Sequence, residues 1–172
     1  MDMAAASHFE EVVLVGHIGK LVKLAGGIMN THSRYADGRT TLLSLEAVFA
    51  GASRELAREI YDSLTTDEAV RLLKEQNLLE PVMAAVCEKI EAYMDQRTHG
   101  EIPTAAVVFS NAYGVLGLTS RAKEFLALHT KGGTTMIHFV GAGPGAVDLI
   151  TVRGQKLLET ADRLFTPAPL VN

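Results

Sequence analysis

Residues 10–39, EEVVLVGHIGKLVKLAGGIMNTHSRYADGR, decide how this chain is read. Residues 12–15 are a short apolar, β-branched run closed by Gly16, the pattern of a buried parallel strand. After His17-Ile18-Gly19, the segment 20–29 places Leu21, Leu24, Ala25 and Ile28 at helical spacing. Strand, glycine turn and helix in that order put backbone N–H groups and the positive end of a helix at the carboxyl edge of a sheet. Such an edge suits an anionic or carboxylate-bearing ligand. The spacing Gly-x-x-Gly lacks the third glycine of the dinucleotide fingerprint, so a plain tight turn packing helix on strand stays open. Residues 30–39 read as an ordered polar loop. Thr31, His32, Ser33, Arg34, Asp37 and Arg39 supply hydroxyls, an imidazole and two guanidinium forks that match carboxylates. The alternative is a capped helix-to-helix connection with solvated charges.

Outward from this stretch, residues 40–100 are helical throughout. Thr40 or Thr41 is expected to cap a helix through 42–52, Ser53 a helix over 54–64, and Thr65 or Thr66 a helix over 67–77. Asp67 and Glu68 favour the first turn of the last of these through the helix dipole. Glu80-Pro81 opens a long helix to about Arg97, ended by Gly100. A second strand is expected at 105–109, followed by SNAYGVLG and a helix over 119–128. HTKGGTT, residues 129–135, reads as a linker, and a third strand at 137–140 leads into GAGPG and a helical run at 153–161. Residues 4–9 read as the tail of a helix. The expected fold class is α/β, a layered, mostly parallel sheet with a helical block, truncated at the N-terminus.

Bulk properties narrow the function classes. The chain has 172 residues, 48% hydrophobic and 21% charged, enough for one domain, or one domain with a fragment. A net charge of −4 and the lack of a basic run argue against nucleic acid as a partner. The lone Cys87 cannot form an intramolecular disulfide, fits a reducing cytoplasm, and reads as a small buried apolar residue of the helical run PVMAAVCEKIEAY. No stretch reaches the roughly 18 apolar residues that a membrane helix needs. MDMAAASHFEE lacks the basic start of a signal peptide, so a cytoplasmic chain is expected. GHIGK is no P-loop, because Lys20 is followed by Leu21 and the G-x-x-x-x-G-K-[ST] frame is missing.

The second glycine turn, 141–145, has a different character. Gly141, Gly143 and Gly145 permit close backbone approach, whereas Pro144 removes a donor. That argues against a loop in which successive N–H groups hold a pyrophosphate.

VLVGHIGKLVKLAGGIMNTHSRYADGR resembles the signature of the cobalt-precorrin-5B C(1)-methyltransferase family, CbiD, of anaerobic cobalamin biosynthesis. The resemblance continues through the helical block and AAVVFSNAYGVLG, covering residues 1–128. It implies transfer of a methyl group from S-adenosylmethionine to ring carbon 1 of a cobalt-containing tetrapyrrole. Carried onto this chain, Gly16, His17, Gly19 and Lys20 are the expected cofactor-binding positions. Thr31, His32, Ser33, Asp37 and Arg39 are the expected substrate-binding positions, facing the carboxylates of the macrocycle rim. No catalytic residue is assigned and no metal site is expected.

MIHFVGAGPGAVDLITVRGQKLLETAD, with the terminal LVN, resembles the start of the tetrapyrrole methylase family, nearest to precorrin-4 C(11)-methyltransferases. There the V-G-x-G-P-G loop borders the site for S-adenosylmethionine and tetrapyrrole, which adds Gly141, Gly143, Pro144 and Gly145 as cofactor-binding positions. The match continues through Asp148, Leu149 and Thr151, but Ala168-Pro169 stands where that family has Gly-Ser before L-V-N. The expected organisation is 1–130 as the C-terminal part of the C1-methyltransferase, 131–135 as a linker and 136–172 as an N-terminal stub of a methylase. A stub of ~37 residues is too short for an independent core. The expected partners are a cobalt-precorrin tetrapyrrole and the family's N-terminal domain or other enzymes of the pathway. The fragment alone is expected to be inactive. The alternative function is a non-catalytic binding or assembly module docking on a partner enzyme.

Overall fold

The computed structural model describes residues 12–31 and 37–129, with side chains to residue 126. Strand β1 (Val12–His17) pairs in parallel with β2 (Thr104–Ser110), in a register running from Val12 opposite Thr104 to His17 opposite Phe109. β3 (Gly114–Leu118) pairs antiparallel with β2, giving the order β1-β2-β3. The α/β reading holds, but the sheet is mixed, with one parallel and one antiparallel pairing. Residues 111–113 are a three-residue turn, far shorter than the dozen or so residues a parallel return needs. SNAYGVLG is therefore a hairpin. The third expected strand, at 137–140, lies outside the described residues, as do the second glycine turn, residues 4–9 and all of the 129–135 linker except His129, which ends the last helix.

The crossover from β1 to β2 is the helical block. Helix α1 (Ile18–Leu21) is one turn and tightens into a 3-10 turn at Val22–Gly26. Then come α2 (Arg39–Phe49), α3 (Arg54–Asp62), α4 (Thr66–Glu75) and α5 (Leu79–Arg97). Helix α6 (Ser120–His129) follows β3. The expected helix over 20–29 stops early because Gly26-Gly27 interrupts it. Gly27 sits at φ 74°, where its N–H closes on the Leu24 carbonyl at 2.9 Å. Ile28 is left outside.

The caps explain the other boundaries. Ser53 and Thr65 accept from the backbone N–H of Leu56 and Glu68, at 3.1 and 3.2 Å, as expected of N-cap hydroxyls. Neither Thr40 nor Thr41 caps α2: both lie inside the helix, which starts at Arg39 with Gly38 in the cap position and no side-chain bond. Pro81 lies in the first turn of α5, where a missing N–H is harmless.

Alternation along β2 sets the layers. Ala106 and Val108 join the main core with Ile18, Leu43, Ile60, Leu73, Ile90 and Met94, whereas Ala105 and Val107 face the other way, with Ala122. β2 is thus buried on both faces, as a central strand should be. The α5 stripe Val82, Met83, Val86, Cys87, Ile90, Met94 follows helical spacing and supplies much of that core. Burial pushes the Cys87 thiol up to about 11, fitting its reading as a packing residue. Among the described residues no helix is long and apolar enough to cross a membrane.

Candidate functional site

The carboxyl ends of the parallel pair β1 and β2 meet the start of α4, and this edge holds most of the sequence-predicted turn. His17 ends β1 and caps α1: its Nδ1 accepts from the Gly19 N–H at 3.0 Å. Nδ1 is therefore the unprotonated nitrogen in the neutral ring, leaving Nε2 as the donor. The ring stands edge-on to Phe109, its register partner on β2, with centroids 5.8 Å apart. Gly19 has used its N–H on His17, so the turn presents one free donor fewer than a bare helix start. A Cβ on Gly16 would lie 2.9 Å from the Leu21 side chain, so this glycine lets α1 fold back over the end of its strand. Lys20 is exposed beside the turn.

Two residues that were not singled out for the site complete the edge. Ser110, buried at the last position of β2, donates to Asp67 Oδ1 at 2.8 Å and accepts from the Ala112 N–H at 3.1 Å. That one hydroxyl ties β2, the hairpin turn and the first turn of α4 together. Thr66, also buried, has its Oγ1 3.5 Å from where a Cβ on Gly19 would stand. The signal for Ser110 was its place at the carboxyl end of a parallel strand, where ligands of open α/β sheets bind. Pairing it with Asp67, 43 residues away, needed the fold.

The polar loop is described at its two ends. At one end the Thr31 carbonyl accepts from Lys23 Nζ at 3.3 Å. Lys23 is 1% exposed, on the 3-10 turn that continues directly from α1. The structure thus ties the loop to the GHIGK motif through a buried lysine, which in sequence is a lone charge inside the apolar run LVKLAGG. At the other end Arg39 grips Asp37 with both arms, Nε to Oδ1 at 2.6 Å and Nη2 to Oδ2 at 2.7 Å. The bond from Arg39 outweighs partial burial and, aided by the charge of Lys23, holds the Asp37 carboxyl below its ordinary range; Arg39 is raised in turn. His32 and Ser33 lie outside the described residues, as do Gly141, Gly143, Pro144 and Gly145. A shallow cleft of about 320 Å³ between α3 and α4, lined by Arg58, Asp62, Glu68 and Arg71, contains none of these positions.

The family described as "CbiD, C-terminal domain" matches residues 30–120, more than half of the chain. The chain belongs to the CbiD family. Residues 136–172 match the family described as "Tetrapyrrole (Corrin/Porphyrin) Methylases". The chain is 38% identical over 128 residues to a cobalt-precorrin-5B C(1)-methyltransferase of Alkaliphilus metalliredigens, covering 74% of this chain and 34% of that protein. Against the protein of the same name from Ruminiclostridium cellulolyticum it is 36% identical over 137 residues, covering 80% and 34%. A Thermoplasma acidophilum protein of that name is 39% identical over 90 residues, covering 52% and 25%. The chain therefore spans about a third of the length of the curated relatives it matches. No solved structure matches it. Membership and relatives agree with the family resemblance read from the sequence.

Proposed function

We propose that this chain contributes the C-terminal part of a cytoplasmic cobalt-precorrin-5B C(1)-methyltransferase of cobalamin biosynthesis. Its share of the site is the carboxyl edge of β1 and β2 together with the loop from Thr31 to Arg39. One observation carries the reading: the His17 turn, Phe109, Ser110 and the start of α4 converge at one sheet edge. The cofactor in this reading is S-adenosylmethionine, which when bound supplies a methyl group on a positively charged sulfur. The donor set fits the amino-acid end of that molecule: Lys20 offers an exposed cation, His17 an Nε2 donor, and Gly16 and Gly19 keep the turn close to the sheet. Thr31, His32, Ser33 and Arg39 face the substrate's carboxylate rim in this reading and orient the macrocycle.

Methylation of an electron-rich ring carbon needs positioning and charge complementarity more than a nucleophilic side chain. The residues of this edge therefore act by holding and orienting. Residues 136–172 bring a second loop of the same ligand class, with Gly141, Gly143, Pro144 and Gly145 as its cofactor contacts in a more complete methylase. Turnover by the C1 site needs the portion of a relative that this chain does not match. The chain supplemented in trans with that portion of the Alkaliphilus relative is expected to methylate cobalt-precorrin-5B in the presence of S-adenosylmethionine. In the supplemented protein, His17→Ala and Lys20→Ala each weaken S-adenosylhomocysteine binding about tenfold by calorimetry, the loss of one charged or polar contact. Unchanged affinity in both variants sinks the placement of the site.

A further inference from the structure

We propose that Asp37 is a resident competitor rather than a ligand-holding residue: its carboxylate fills the Arg39 fork until a carboxylate of a rigid polycarboxylate ligand replaces it. This rests on the reading of the loop as a receptor for the tetrapyrrole rim. The geometry of the pair is the starting point. Two parallel N–H···O bonds, at 2.6 and 2.7 Å, are the contacts an incoming carboxylate would make with the same guanidinium. Both side chains are open to solvent, Arg39 at 33% and Asp37 at 48% exposure, so exchange needs no opening of the core. A pair open to water on both sides is screened and so can be displaced.

The Thr31 end of the loop has an anchor of its own. Lys23, almost fully buried, anchors the Thr31 end through its carbonyl, so releasing Asp37 leaves that anchor in place. A fork already filled by an internal carboxylate discriminates among ligands. A single small anion gains nothing by replacing Asp37, because it exchanges one carboxylate for another. A ligand carrying several carboxylates on one rigid frame makes further contacts that offset the exchange, and so it wins.

The test is fluorescence titration of the chain with uroporphyrin, an octacarboxylate porphyrin, and with a tetracationic N-methylpyridyl porphyrin of similar shape. Asp37→Asn is expected to bind uroporphyrin about threefold more tightly than wild type, since the competitor for Arg39 is weakened. The cationic porphyrin should bind Asp37→Asn no better than wild type. In Asp37→Asn/Arg39→Gln the gain for uroporphyrin should vanish. Asp37→Ser, checked like the others by circular dichroism, should reproduce the asparagine result. Equal or weaker uroporphyrin binding by both Asp37 variants, with wild type binding, overturns the exchange and leaves the receptor reading standing. A gain for both porphyrins also overturns it, as that is what a merely loosened loop would give. No uroporphyrin binding by any chain overturns the receptor reading and the exchange with it.

Discussion

Asp95–Arg121 and Asp37–Arg39 join the same two chemical groups in opposite settings. Asp95 on α5 accepts from Arg121 Nη1 at 2.6 and 2.7 Å, and from the Thr104 hydroxyl at 2.8 Å. Arg121 Nη1 also donates to the Thr104 carbonyl at 3.3 Å, and its backbone N–H reaches Glu91 at 3.1 Å. Twenty-six residues separate the partners, so one carboxylate fastens α5, β2 and α6 together. Asp37 and Arg39 are two residues apart and, among the described residues, bridge no second element. A carboxylate–guanidinium pair thus shapes the fold where it closes a long loop and satisfies a buried hydroxyl. Where it only folds the chain on itself, it is available for exchange.

The largest effect that follows is on stability. Asp95→Ala strips the partner from the Thr104 hydroxyl, which is fully buried, and from Arg121; it should cost about 2–3 kcal/mol. In a chain of this size that lowers Tm by roughly 8 °C, read by thermal circular dichroism. A melting point within a degree of wild type would break the contrast. Next comes Ser110→Ala, which lies between the two pairs in setting, because it loses one buried hydroxyl shared by Asp67 and the Ala112 N–H. It should cost about 1 kcal/mol by urea unfolding.

Smaller still is the pH effect. Burial pushes the Asp95 carboxyl up, but the bonds from Arg121 and Thr104 outweigh it, leaving the group below its ordinary value of 3.8. A depressed carboxyl contributes stability above that ordinary value, and the contribution is lost as pH falls through the lower folded value. The loss of stability on acidification below about pH 4 should therefore be shallower in Asp95→Asn than in wild type. In Asp37→Asn the curve should stay closer to wild type, since solvent screens that pair. Parallel curves for wild type and Asp95→Asn would show that the Asp95 network does not titrate with folding.

Which parts were legible in the sequence follows the same division between local and long-range causes. The Ser53 and Thr65 caps, the long α5 helix with its buried Cys87 and the β-branched strand 12–15 are written in adjacent residues, and each appears where the sequence put it. Boundaries slipped where competing local signals were finely balanced, as at Gly26-Gly27 and at Gly38 before Arg39. The antiparallel β3 was hidden because Gly114–Leu118 is short and half-exposed, without the continuous apolar run that marks a buried strand. At the site, the Gly16–Lys20 turn was visible as a motif, but its partners were not. Ser110, Asp67 and Thr66 lie far along the chain from the turn and are ordinary cap or strand-end residues until β1 and β2 pair. Lys23 was legible only as an oddity, a charge within an apolar helical run.

The smallest predicted effect also has the most bearing on the loop. A double-mutant cycle on Asp37→Ala and Arg39→Ala, read by urea unfolding, should give a coupling energy below about 0.5 kcal/mol. The same cycle on Asp95 and Arg121 should exceed about 1 kcal/mol, because that pair shares its contacts with Thr104, whose buried hydroxyl donates to Asp95 and whose carbonyl accepts from Arg121. The reason for the difference is the reference state. When Asp37 is removed, Arg39 turns to water at little loss, whereas Arg121 remains beside Thr104 and Glu91. A coupling above 1 kcal/mol at Asp37–Arg39 would mean that the pair holds the loop in shape. Asp37 would then be too firmly seated to yield its place on Arg39, and the two pairs would be alike in strength despite their settings.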